Sequence, residues 1–281
     1  MIDLLFTALS YSFVRYALVV STLVALSAGL IGVPLVLKRY SFIGDGLSHV
    51  AFGAVAVAAL LGIAAPLWIV LPVTAISAVF LLLIGENTRF KGDSAIALLS
   101  VSALAIGYLL LHFSDSQGNI SGDVCSSLFG STSLFTLSEF DVLISLIVTL
   151  IVLLSFVFFY RGIFSVTFDE TFMRAAGMRA RAYRVLLALL SAVVIATSME
   201  LVGSLLVSAL IVFPALSAMC LFRTFRAVTV ASATLSVFGA VFGMLLSILI
   251  ETPTGATIVI ADLFVYLVCT VLSLLLRRNT R

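Results

Sequence analysis

The chain has 281 residues, of which 63% are hydrophobic and only 10% are charged, and its mean hydropathy is +1.31. Soluble domains carry about 25% charged residues, so the composition excludes a soluble globular protein and indicates a polytopic membrane protein. The net charge of +2 gives no basis for nucleic-acid binding. We therefore expect one transmembrane domain over residues 1–281.

Nine apolar stretches are long enough to cross a bilayer, which takes about 17–25 helical residues. They lie near residues 13–37, 41–63, 65–85, 94–113, 141–160, 183–199, 201–221, 227–250 and 257–276. The two stretches on either side of Glu200 are short. The alternative is eight crossings, with these two forming one tight hairpin that does not fully cross. The sequence predicts an all-α polytopic membrane helix bundle of about nine transmembrane helices.

Basic residues set the expected orientation of the bundle. In the nine-span arrangement every Lys and Arg except Arg15 falls on one side of the membrane. The connections on the other side hold no Lys or Arg; they hold Asp115, Asp123, Glu139 and Glu251. Because cytoplasmic loops carry the excess of basic residues, we expect the N-terminus outside and the C-terminus in the cytoplasm.

A carboxylate and an imidazole lie one helical turn apart at the start of the second span. The run is Gly44-Asp45-Gly46-Leu47-Ser48-His49, and the chain has only two histidines. Residues four apart share one helix face, so Asp45 and His49 can point at one divalent ion, with Ser48 beside them. An ionisable residue at the bilayer centre costs roughly 2.5–3.5 kcal/mol, and an oxygen-nitrogen donor pair suits zinc or manganese. The structural alternative is that Asp45 caps the helix while His49 bonds a backbone carbonyl.

Three further acidic residues are weaker candidates for metal binding. Glu200 lies between two spans, Glu251 lies at the outer end of the eighth span, and Asp262 lies a turn or two into the ninth. Any of them would attract cations in an outer vestibule. The alternative for each is an interfacial or helix-end role.

The least membrane-like stretch covers residues 167–178. Asp169 and Glu170 suit the first turn of a helix, Arg174 lies four residues beyond Glu170, and Gly177 suits the helix end. The pattern predicts a short amphipathic helix on the cytoplasmic side, which is either a docking element for a cytosolic partner or a solvated connection.

No GxxxxGK[ST] motif occurs in the sequence, so the usual phosphate loop for nucleotide binding is absent. We therefore expect a transport subunit rather than an enzyme, and any ATP hydrolysis must come from a separate subunit.

Several segments together resemble the metal-type ABC permeases, the membrane subunits of zinc, manganese and iron uptake systems. The run from Gly44 to His49 resembles the Gly-Asp-x-[Leu/Ile]-[Ser/Ala]-His signature of that family. The stretch 202–210, followed by Pro214 and Ala215, resembles its second signature. The segment 169–177 is similar to its coupling helix, and the run 252–256 also fits.

The resemblance implies a multi-pass subunit of a prokaryotic plasma membrane, such as a cell inner membrane. It implies a homodimer surrounded by lipid, two cytosolic ATP-binding subunits, and an extracellular or periplasmic metal-binding protein. Asp45 and His49 would contact the ion in transit, and residues 169–177 would seat in a cleft of the ATPase. The transported ion would be zinc or manganese, or else iron, with no permanently bound cofactor and with ATP on the partner subunit.

Two other classes of transporter are alternatives. A secondary ion-coupled transporter working alone would need several intramembrane carboxylates and usually inverted repeats; the sequence has few such carboxylates, and we find no repeat. A permease for iron chelates or vitamins would need a wide cavity rather than one compact Asp/His pair.

Overall fold

The computed structural model describes residues 10–63, 66–84, 92–113 and 137–279. Ten α-helices, and no strand, are found within these ranges. They are α1 (Ser12–Leu37), α2 (Ile43–Leu60), α3 (Leu67–Ile84), α4 (Gly92–Phe113), α5 (Glu139–Phe168), α6 (Glu170–Ala175), α7 (Ala180–Val202), α8 (Ser204–Leu221), α9 (Phe225–Ile250) and α10 (Thr254–Asn279). The prediction of an all-α membrane bundle is confirmed.

Nine of the ten helices are long, and they coincide with the nine stretches expected from hydropathy. Among the described residues, eight helices are long and apolar enough to cross a membrane. The remaining long helix is α3, whose described apolar part, Leu67–Leu82, is shorter. The two helices around position 200 each meet the length requirement, so the marginal segment is α3 rather than a hairpin at that position.

A single residue, Gly203, separates α7 from α8. Its φ of 96° and ψ of 152° lie in a region that is open essentially only to glycine. Its amide donates to the carbonyl of Met199, and its carbonyl accepts from the amide of Val207. One glycine therefore ends one membrane helix and begins the next.

Helix α1 lies at the centre of the bundle and packs against α5, α7, α8 and α9. Its contact with α9 is polar as well as close: the hydroxyls of Ser232 and Ser236 donate to the carbonyls of Gly29 and Ala25, each at 2.7 Å. Apolar surface provides little drive for association inside lipid, so small residues and interhelical hydrogen bonds hold such helices together.

Helix α2 is held between α4 and α8. A methyl group placed on Gly53 would lie 3.0 Å from the carbonyl oxygen of Ala103 in α4. One placed on Gly44 would lie 3.5 Å from the Cα atom of Ser208 in α8. The close approach to α4 and the ordinary van der Waals contact with α8 hold the helix that carries Asp45 in place.

Side-chain contacts between distant residues define the two ends of the bundle. At one end, the Tyr16 hydroxyl donates to Glu139 Oε1 at 3.0 Å, joining the starts of α1 and α5. At the other, Glu170 contacts Lys38 and Arg184, at the end of α1 and the start of α7. We call these the acidic end and the basic end.

The packing of Gly32 gives a test of the bundle core. In the substitution Gly32→Ala, the added methyl would collide with the backbone carbonyl of Ile211, which is fixed within α8. Overpacking of this kind costs about 1–3 kcal/mol, so we expect a lower midpoint of thermal unfolding for the purified protein in detergent.

The matched control is Gly44→Ala, because its methyl would meet the flexible Cδ1 tip of the same residue, Ile211, at 3.3 Å. Gly44 lies in the first turn of α2, so the gain in helix propensity there is smaller than at Gly32 and does not account for a lower midpoint of Gly32→Ala. Equal midpoints for the two variants would contradict the packing described for α1 and α8.

Candidate functional site

Asp45 and His49 lie on one face of α2, beginning in its first turn. His49 Nε2 lies 3.4 Å from Asp45 Oδ1, and the side chains are 15% and 54% exposed, respectively. His49 Nδ1 is buried and has no hydrogen-bond partner among the residues that the structure describes. The carboxylate and the imidazole are thus close together, but the hydrogen bond between them is long, and the carboxylate is accessible to solvent.

The structural alternative for this pair finds little support in these contacts. The N-cap of α2 is Phe42, and no side chain caps the helix there. The described residues also offer no carbonyl to the buried nitrogen of His49. Ser48 behaves differently, because its fully buried hydroxyl donates to the carbonyl of Asp45 at 2.8 Å within the same helix.

The other acidic candidates lie apart from this pair. Glu251 ends α9 with a left-handed φ of 56° and lines a cavity of about 310 Å³ at the acidic end, next to Phe13. Asp262 is 2% exposed, and its Oδ1 fills the space left by the missing side chain of Gly239 in α9. It lies inside the α9–α10 contact rather than along an outer vestibule. The side chain of Glu200 is outside the described part of the chain.

Among the predicted metal-binding candidates whose side chains the structure describes, Asp45 and His49 are the two that lie together. Within the described ranges, no group of three or more His, Cys, Asp or Glu side chains is arranged to hold a metal ion. Two protein donors leave an ion such as zinc short of its usual four ligands, so water or further groups must complete its coordination.

The short helix α6 begins and ends as its sequence predicts. Asp169 is its N-cap, and Oδ1 accepts from the Phe172 amide at 2.8 Å and from the Thr171 hydroxyl at 2.6 Å. These bonds, the amide first, lower the pKa of the Asp169 carboxyl below its ordinary value of 3.8. Past the last turn, Gly177 has a φ of 77°, a left-handed conformation that suits glycine.

The two faces of α6 differ in chemistry. Met173 is fully buried, and the Glu170 side chain is only 15% exposed. On the outer side, Phe172 is 69% exposed, and Phe168, which ends α5 just before, is 58% exposed. Arg174 lies between the faces, 3.0 Å from Glu170 and 53% exposed.

Sequence reasoning missed two features of this end of the molecule. It did not pair Glu170 with Lys38 or Arg184, which are distant in the chain. It also gave no role to Phe172, although an aromatic residue in the least membrane-like stretch is a signal of a contact surface.

The architecture is that of a multi-pass membrane permease. The chain belongs to the ABC 3 transport family, whose sequence profile matches residues 10–273. This membership confirms the resemblance seen in the sequence motifs and, with the eight candidate spans, a multi-pass location in the plasma membrane.

Several relatives cover nearly the whole chain. The manganese transport system membrane protein MntC of Halalkalibacterium halodurans is 31% identical over 253 residues, covering 90% of this chain and 84% of that protein. The high-affinity zinc uptake system membrane protein ZnuB of Haemophilus influenzae is 28% identical, covering 89% of this chain and 94% of that protein. The structure of PsaBC from Streptococcus pneumoniae in complex with a Fab superposes with a TM-score of 0.83, at 27% identity, over 96% of this chain and 95% of that chain.

The cap of α6 gives a second test. Asp169→Ala removes the acceptor for the Phe172 amide, so we expect hydrogen exchange in the segment 170–176 to become several-fold faster. Asp169→Asn keeps an acceptor oxygen, so its exchange should stay close to that of the unchanged protein. Equal exchange in both variants would contradict the capping role.

The lowered pKa of Asp169 sets the pH range of this effect. Because the pKa of the Asp169 carboxyl is lower in the folded state, its ionised form stabilises the fold at pH values above its ordinary pKa. That stabilisation is lost as the pH falls through the pKa of the folded state. The charge therefore supports α6 at neutral pH and ceases to do so only below about pH 3.8.

Proposed function

We propose that this chain is the membrane subunit of an ATP-driven importer for a divalent transition metal, zinc or manganese. The observation that carries the proposal is the Asp45–His49 pair inside transmembrane helix α2. The names of the two relatives, one for manganese and one for zinc, support the same substrate class.

The separation of the two donors fits a shared ion. Zinc lies about 2.0–2.2 Å from carboxylate oxygens and about 2.0–2.1 Å from imidazole nitrogens. At a tetrahedral angle, two such ligands are about 3.4 Å apart. Asp45 Oδ1 and His49 Nε2 are 3.4 Å apart. An ion can therefore be held by both atoms with little rearrangement of the helix.

An incomplete ligand set suits passage rather than storage. Structural zinc sites close four protein ligands around the ion, whereas sites that keep open positions exchange ligands. With Asp45 and His49 as its protein donors, the ion keeps positions for water. We infer that the pair holds the ion briefly on its way through the bundle.

The basic end is the cytoplasmic side in this proposal, in agreement with the positive-inside rule. Helix α6 then lies in the cytoplasm, and its Phe172 and the neighbouring Phe168 of α5 are exposed. We propose that this exposed aromatic surface docks on an ATP-binding subunit, that the chain acts as a homodimer with two such subunits, and that a metal-binding protein delivers the ion at the acidic end.

Metal uptake tests the donor pair. Asp45→Ala and His49→Ala each remove one of two protein ligands, and loss of support for a metal ligand typically costs about 10–100-fold in affinity or activity. We expect at least a tenfold loss of zinc or manganese uptake in both variants at matched expression. The ATP-binding subunit should still co-purify with each variant.

The control is His112→Ala, which removes the only other histidine of the chain; it lies at the end of α4 beside Phe113. Its uptake should be unchanged. Normal uptake by the Asp45 and His49 variants would remove the pair from the path. Uptake of an iron chelate instead of free ions would favour the chelate permease.

Docking of α6 has its own test. Phe172→Ala removes the most exposed aromatic side chain of the docking helix, and aromatic anchors dominate interface energies. We expect binding of a co-expressed ATP-binding subunit to weaken roughly tenfold or more. The matched control is Phe140→Ala, because Phe140 is 67% exposed but lies at the acidic end. Equal binding by the two variants would show that the contact lies elsewhere.

A further inference from the structure

We propose that Glu170 is a positioning residue that ties the docking helix α6 to the transmembrane bundle and, through Lys38, to the first turn of α2. The proposal rests on the proposed function, because it specifies how movement of an ATP-binding subunit reaches the metal-binding pair. Glu170 is then not a contact of the ATP-binding subunit, although it lies in the docking helix.

One carboxylate joins three helices. Glu170 Oε1 lies 2.8 Å from Arg184 Nε at the start of α7, and Oε2 lies 3.6 Å from Lys38 Nζ at the end of α1. The side chains of Glu170, Arg184 and Lys38 are 15%, 8% and 12% exposed. Ion pairs this far from solvent are screened less than those on a surface, so the link persists at physiological salt.

A rigid turn carries this link from Lys38 to Asp45. The amides of Arg39 and Tyr40 donate to carbonyls in the last turn of α1 at 3.0 and 2.9 Å, which is the Schellman arrangement. Arg39 takes the left-handed φ of 64° that this arrangement requires. The amide of Ile43 then donates back to Tyr40, so a displacement of Lys38 moves the first turn of α2 with it.

The rest of α6 is held independently of Glu170. Asp169 caps the helix, and the side chain of Met173 is fully buried against the bundle. Loss of the Glu170 carboxylate should therefore leave the helix and its exposed face in place. What it removes is the connection from α6 to α1 and α7, so ATP hydrolysis would proceed without matching movement of α2.

Lys38 separates a link between helices from a role in the local stability of α6. Its Nζ lies 3.6 Å from Glu170 Oε2, but the residue belongs to the end of α1, outside the docking helix. A role limited to the local stability of α6 would affect Glu170→Gln alone, whereas a link between helices would affect Lys38→Gln as well.

The experiment measures metal transported per ATP hydrolysed in proteoliposomes that contain the full chain and its ATP-binding subunit. We expect Glu170→Gln and Lys38→Gln to lower this ratio at least fivefold while the subunit remains bound. Lys38→Arg, which keeps the charge, should retain at least half of the ratio. If Glu170→Gln fails to fold, the comparison of the two Lys38 variants provides the same test.

Three outcomes would overturn the proposal: an unchanged ratio in Glu170→Gln and Lys38→Gln, an equal fall in Lys38→Arg and Lys38→Gln, or loss of the ATP-binding subunit from Glu170→Gln. The proposed function fails separately. If the unchanged protein moves neither zinc nor manganese, the importer assignment is wrong; if it moves either ion and the Glu170 variant keeps the full ratio, only the positioning role is wrong.

Discussion

Close backbone approach inside the membrane is the constraint on which the rest of this structure depends. Lipid surrounds the apolar faces as readily as another helix does, so helices associate where small residues and shared hydrogen bonds allow contact. Helix α1 meets this condition on two sides. Serine hydroxyls of α9 donate hydrogen bonds to its carbonyls, and Gly32, which has no side chain, lets the backbone of α8 come close. Because α1 ends at the ion pairs of the basic end, its placement also sets the positions of Lys38 and α2.

Within such a bundle, the polar groups divide into two kinds. Hydroxyls such as those of Ser48 and Ser232 are bonded to backbone carbonyls and contribute to structure. Asp45 and His49 are held in place by the packing of α2 yet make only a long contact with each other. Packing fixes the position of these two side chains but does not satisfy their hydrogen-bonding capacity, so they remain available to a ligand. The structural hydroxyls differ because their hydrogen bonds are already made.

Features set by neighbouring residues could be predicted from the sequence, and features set by packing could not. The membrane helices follow from the length of apolar runs, and α6 follows from the residues at its two ends, Asp169 and Gly177. The pairing of Glu170 with Lys38 and Arg184 depends on how three helices meet, and no local pattern encodes that. The burial of Asp262 likewise depends on the missing side chain of Gly239 in another helix.

The single-residue junction at Gly203 has a mechanical consequence. Helix α7 carries Arg184 at the basic end, whereas α8 lies against Gly44, the residue before Asp45 in α2. Because Gly203 alone separates them, the angle between α7 and α8 depends on one pair of backbone dihedral angles, in a region that is open essentially only to glycine. The orientation of α8 beside α2 relative to α7 at the basic end is therefore set at one residue, the glycine that joins them.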